Sequence, residues 1–154
     1  MKYSFLPALI VLVGLGLLAT TCSNDPASSK KKPTPTVVEL LATDENGLEI
    51  AFTDGQTIEI SVTDTVSTNP NGLVEDCDLW TDADGIADCQ YVTSAPECRG
   101  LPFMALIGKT GSIYFLVGTS YSTTFTGDGT LTLEINDWEF YDNAGKFVIS
   151  YTLE

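Results

Sequence analysis

The chain has 154 residues and a formal net charge of −14, with 21 acidic residues against seven lysines and arginines and no histidine. From residue 35 onward the only cations are Arg99, Lys109 and Lys146 against twenty acids, so that part carries −17. Such a surface repels phosphate backbones, which excludes nucleic acid as a partner and leaves cations and neutral ligands.

An apolar run over residues 5–18 follows a single charge, Lys2, and gives way to small polar residues before Cys22. Its length suits the apolar region of a signal peptide and falls short of a membrane span, so residues 1–22 are expected to direct export. The stretch Leu18-Ala19-Thr20-Thr21-Cys22 resembles a bacterial lipobox, in which the cysteine becomes the lipid-modified N-terminus. On that reading Cys22 is the lipidation site of a membrane-anchored lipoprotein, at the outer membrane or cell surface. The alternative is a plain secretory signal cleaved nearby. Residues 23–35 are rich in Ser, Lys and Pro and have almost nothing to bury, which predicts a flexible tether. Its lysines, Lys30, Lys31 and Lys32, either lean on anionic headgroups or are merely solvated.

Residues 36–154 are the usual size of one domain. Alternating or β-branched apolar stretches recur at 37–42, 48–52, 57–62, 104–107, 113–117, 122–125, 131–135 and 146–152, separated by turn residues such as Asp54-Gly55, Gly127-Asp128-Gly129 and Asn143-Ala144-Gly145. Beyond the signal no window shows a helical period. Many short strands at regular spacing predict an all-β fold, an antiparallel β-sandwich of jelly-roll or galactose-binding-domain type.

Residues 67–100 break this rhythm with Pro70, Asn71, Gly72 and six acids between Glu75 and Asp88. A loop of that length is usually functional or covalently stapled. With Cys22 lipidated, Cys77, Cys89 and Cys98 remain, which predicts one disulfide and one free thiol with the pairing open. A zinc site is the weaker reading, because the spacings fit no zinc-ribbon pattern. Asp82, Asp84 and Asp88 resemble one unit of a thrombospondin-type calcium repeat, and a solvated acidic loop explains them equally well. The EF-hand pattern fails for want of a glutamate at Tyr91.

Near the C-terminus, Asp137, Asp142 and Asn143 fall on one short connection between two strands. Side-chain oxygens gathered in this way suit a hard cation such as Ca²⁺. Two carboxylates facing each other are costly unless a cation or solvent lies between them. Gly145 is expected to let the chain turn sharply after these residues. An ordinary polar turn, with Trp138 and Phe140 in the core, is the competing reading.

Taken in order, VVELLATDENGLEI, DGQTIEISVTD, LPFMALIGKTGSIYFLVG and GDGTLTLEINDWEFYDNAGKFVIS resemble the PA-I-type (LecA-like) galactophilic lectins, which are small calcium-dependent β-sandwich proteins. The most specific fragments are ALIGKTG and INDWEFYDNAGKF. The resemblance implies a calcium ion held by the side chains of Asp137, Asp142 and Asn143 and by a main-chain carbonyl near Thr68. Tyr141 or Phe140 stands where the family has a further, threonine ligand. Two hydroxyls of a galactose-type sugar would complete the shell, with Trp138 and Tyr141 beside it as ligand-contacting aromatics. A second sugar-contacting segment of the family uses a histidine, which this chain lacks. The resemblance also implies a Cys89–Cys98 disulfide, with Cys77 as the other candidate partner, and association into a homo-oligomer through sheet edges.

The expected function is therefore a calcium-dependent carbohydrate-binding module displayed on the cell envelope as a lipoprotein. The alternative is a structural or protein-interaction envelope lipoprotein with a stabilising calcium site and no sugar binding. Hydrolysis has little support, because no nucleophile elbow, nucleophile–histidine pair or phosphate loop is visible, so the chain is not expected to be an enzyme.

Overall fold

Along Thr57–Thr63, Ile58, Ile60 and Val62 are buried while Glu59 and Ser61 are exposed, the two-residue period of a strand with one face on a core. The same period runs through Gly129–Ile135, where Leu131, Leu133 and Ile135 point inward. The structure is a computed structural model that describes residues 32–68, 80–87 and 100–154. Cys22, Cys77, Cys89, Cys98 and Asp88, with the expected signal and residues 23–31 of the tether, lie outside the described residues.

In chain order the strands are β1 (Thr36–Leu41), β2 (Leu48–Phe52), β3 (Thr57–Thr63), β4 (Val66–Thr68), β5 (Trp80–Thr81), β6 (Leu106–Thr110), β7 (Ile113–Leu116), β8 (Ser120–Thr124), β9 (Gly129–Ile135) and β10 (Asn143–Leu153). One sheet has the order β5-β4-β10-β3-β8, with β1 on the other edge of β10; the second has the order β2-β9-β6-β7. All the strand pairings are antiparallel. Leu40, Ile58, Phe147 and Ile149 of the first sheet and Ile50, Leu106, Leu131 and Leu133 of the second join one buried cluster. Each such side chain contributes about 1.5–3 kcal/mol by leaving water. The molecule is thus the antiparallel β-sandwich that the alternation predicts.

Each of the eight predicted strands has a counterpart, with three instructive shifts. The stretch at 104–107 becomes β6 only from Leu106, because Met104 takes a left-handed φ of 58°. That conformation costs a non-glycine residue about 1–2 kcal/mol. Full burial of the side chain and an N–H bond from Met104 to the Asn136 carbonyl (3.0 Å) offset it. Strand β10 starts at Asn143, not 146, so the expected turn at Gly145 is a position inside a strand. Two short strands, β4 and β5, lie within the stretch read as one irregular loop.

The last two of these shifts share one cause. Strands β3 and β4 face β10 in a single unbroken register, Thr63 opposite Val148 and Val66 opposite Gly145. Asp64 (φ 69°) and Gly145 (φ 88°) mark the kink between the two halves. A Cβ at Gly145 would collide with the Thr65 carbonyl and press on the Trp80 ring, so this glycine lets β4 and β5 close onto β10. The ladder then carries Thr68 to a position directly opposite Asn143.

Candidate functional site

The chain crosses from the second sheet to the first over residues 136–142, between β9 and β10. Asn136 anchors the start of the crossing. Its N–H donates to the Ala105 carbonyl (2.9 Å), and its Nδ2 donates to the carbonyls of Pro102 (2.8 Å) and Leu101 (3.2 Å). Asp137 follows, and its Oδ1 accepts the N–H of Trp138 (2.7 Å) and of Glu139 (3.3 Å). This local carboxylate-to-backbone turn leads into a 3₁₀ turn at Phe140–Asp142. Phe140 packs against the core, and the Asn143 N–H closes the turn on the Phe140 carbonyl. The competing core reading therefore holds for Phe140 and fails for Trp138, which is 58% exposed.

Asn143 sits between two neighbours of β10. On one side stands Thr68 of β4; on the other, its Nδ2 donates to the Ala42 carbonyl just beyond β1 (3.1 Å). The Thr68 carbonyl itself accepts the Ser67 hydroxyl (3.2 Å). The structure thus brings Asp137, Asp142, Asn143 and Thr68 to one end of the first sheet. Trp138 and Tyr141, the latter 81% exposed, belong to the same crossing.

The hydrogen-bond ledger of this corner does not close. Among the described residues five buried side-chain polar atoms lack a partner, and four of them are Asn136 Oδ1, Asp137 Oδ2, Asp142 Oδ1 and Asn143 Oδ1. All four are oxygens, while the Nδ2 atoms of Asn136 and Asn143 are both engaged. An unpaired buried acceptor costs about 1–3 kcal/mol, more when charged, so four within eight residues call for something electropositive. One water offers two protons and no charge. A divalent cation satisfies several oxygens and offsets two carboxylates together. The orphaned oxygens belong to two carboxylates and two amides, the donor types that suit a hard, oxygen-seeking ion. Among the described residues no group of three His, Cys, Asp or Glu side chains converges, so amide and main-chain oxygens would have to complete the shell of such an ion.

Electrostatics agree with the geometry. Burial pushes the Asp137 carboxyl above its ordinary value; the Asn143 amide, close by but without a hydrogen bond of good geometry to it, and the N–H groups of Trp138 and Glu139 pull it part of the way back, and the charge of Asp142 pushes it up again. Without a counter-charge this corner disfavours its own ionised form. The Tyr141 phenol is also raised, by the charges of Glu139 and Asp142.

Two contributors escape sequence reasoning. Asn136 lies just past the strand expected at 131–135, and its place beside Asp137 is a usable signal. Trp80, 47% exposed on β5, gave no local signal, because only the β4–β5 pairing places its ring against Gly145. The other acidic cluster resolves differently. Asp84 Oδ1 accepts the Thr119 N–H (2.9 Å), the Thr119 hydroxyl lies within bonding distance of both carboxylate oxygens (3.4 and 3.3 Å), and Asp82 Oδ1 accepts the Asp84 N–H (3.0 Å). Asp84 thus pins the segment after β5 to the turn before β8, and Asp82 shapes the local turn that presents it.

Among solved structures the chain is similar to the EclA N-terminal domain, a PllA-like lectin. The TM-score is 0.58 and the identity 23%, with 79% of this chain and 98% of that one covered. At that identity the likeness speaks for the fold, a lectin-like β-sandwich. No family model and no curated protein matches the chain.

Proposed function

We propose that the domain is a calcium-dependent carbohydrate-binding module of the PA-I-type lectin kind, carried on the cell envelope by a lipid on Cys22. The observation that carries the reading is the set of unpartnered buried oxygens on Asp137, Asp142 and Asn143, the three residues that the motif resemblance assigns to calcium. The fold shared with a PllA-like lectin domain supports it. In this reading those side chains and the Thr68 carbonyl hold the ion. When bound, calcium accepts six to eight oxygens and so has room for vicinal hydroxyls of a sugar.

The rest of the work falls to the chain itself. The Asn143–Ala42 bond fixes the amide so that its oxygen stays available, and the two N–H bonds to Asp137 Oδ1 leave Oδ2 free for the ion. Trp138 and Tyr141 present exposed aromatic faces that suit the apolar face of a pyranose. In this reading the chemistry is binding.

The test uses a glycan array and a thermal melt, each with calcium and with chelator. Calcium-dependent glycan binding together with calcium-dependent stabilisation is the expected result. Stabilisation by calcium with no glycan signal would instead favour the alternative, an envelope protein whose ion is purely structural. A domain indifferent to calcium in both assays would end the proposal.

A further inference from the structure

A concave site lies at the other end of the sandwich from that corner. The β8–β3 ladder ends at Thr124 opposite Thr57, and from Thr57 the edge of β10 runs through β3 and β4 to Thr68. At about 3.3 Å per residue that path places the two ends on the order of 30 Å apart. Beside Thr124, between the edge strands β7 and β8, opens a cleft of about 310 Å³. This is the small end of the ligand-pocket range of about 300–1,000 Å³ and suits one ring better than a chain.

Its lining decides the ligand class. None of the eight lining residues is an acid or a base, within a domain that is otherwise strongly acidic. Phe115 and Tyr121 stack with centroids 5.0 Å apart and form an aromatic wall, and Phe125 stacks on Phe52 at 3.7 Å behind them. Thr110, Thr123 and Thr126 add hydroxyls that both donate and accept. A neutral lining offers nothing to a cation or an anion. Aromatic faces beside interchangeable hydroxyls match a neutral molecule with one apolar face and several hydroxyls of its own, the description of a pyranose ring. The loop that follows Phe125 and Thr126 is held in advance: Asp54 Oδ1 accepts the Gly127 N–H (2.6 Å), and the Asp54 N–H donates to Asp128 Oδ1 (2.9 Å), tying two hairpin tips together.

We infer that this cleft is a second, metal-independent saccharide site for a neutral pyranose unit. It shares no residue with the cation corner and stands whether or not that corner binds sugar. If both sites work, one protomer bridges two glycans, and a glycan long enough to reach both gains avidity through effective concentration.

The test takes the full chain in detergent with excess EDTA and probes an array of neutral galactosides, glucosides, mannosides and fucosides, followed by saturation-transfer NMR with the methyl glycosides of the hits. Binding that persists in EDTA, falls roughly tenfold in Tyr121→Ala, falls in Thr123→Val and is unchanged in Asp137→Ala is the expected result. Thr123→Val keeps the volume of the side chain and removes only the hydroxyl, so the test survives if Tyr121→Ala fails to fold. No binding in EDTA overturns the inference, even if calcium-dependent binding remains. Binding in EDTA that both cleft variants retain also overturns it. A sedimentation coefficient that drops in Tyr121→Ala without any glycan would assign the cleft to a second copy of the chain instead.

Discussion

Two groups of acidic side chains in this domain look alike in sequence and differ in what surrounds them. Asp82 and Asp84 have oxygens that accept backbone N–H groups, Asp84 reaching 35 residues along the chain to Thr119. Asp137, Asp142 and Asn143 each keep one buried oxygen with no donor. The first group is exposed to water and bonded in part by the fold, whereas the second holds its unpaired oxygens buried and costs the fold free energy until something else arrives. An acidic cluster therefore points to a ligand through its unpaired oxygens and not through its charge.

That contrast is open to direct attack. The largest effect is expected from Asp137→Ala, which should abolish calcium-induced stabilisation while the ion-free protein stays folded. An ion at a hundredfold excess over its Kd contributes about 2.7 kcal/mol, roughly 10 °C in a domain of this size. A variant that kept the full shift in a melt would show that the orphaned oxygens are not the ligands. Next comes Asn143→Ala, which removes an oxygen from the corner and also the donor to the Ala42 carbonyl. It should lose the calcium response and in addition lower ion-free stability by about 1–3 kcal/mol in chemical denaturation. Asn143→Asp separates the two roles, because it restores an oxygen but not the donor. Asp84→Ala should be milder, costing about 1 kcal/mol for its exposed bonds, with the calcium shift intact. If Asp84→Ala erased that shift, the two acidic groups would not be functionally distinct.

How much of this was legible in the sequence depends on how far each residue's partner lies. Strand β2 and the cores of β3 and β9 follow from alternation alone, because burial on one face is a local pattern. Met104 reads as a strand residue because the neighbours that pull it into a left-handed conformation, above all Asn136, come 32 residues later. Strand β4 has three residues and no alternation to show, and it exists because Asp64 and Gly145 kink together. The site is split in the same way. The oxygens of Asp137, Asp142 and Asn143 sit within seven residues and can be read as a group. The bond that frees the Asn143 oxygen runs to Ala42, 101 residues away, and could not be read.

The smallest effect, and the one most specific to the orphaned corner, is in pH. Burial raises Asp137 above its ordinary value of 3.8, so the ion-free folded state holds this proton more tightly than the unfolded chain does. Its contribution to ion-free stability is accordingly fully present below pH 3.8 and is lost as pH rises through the raised folded value. Saturating calcium reverses the slope, because the ion requires the carboxylate ionised, so calcium stabilisation grows as pH rises through the same window. Asp137→Asn should flatten both trends and leave the ion-free protein slightly more stable than wild type at neutral pH. The measurement is the melting temperature of metal-free and calcium-loaded protein across pH, read as wild type minus Asp137→Asn so that other titrating groups cancel. Parallel wild-type and mutant curves in metal-free buffer would mean that the Asp137 carboxylate is already satisfied by solvent, and the corner would then be no more primed for an ion than Asp84 is.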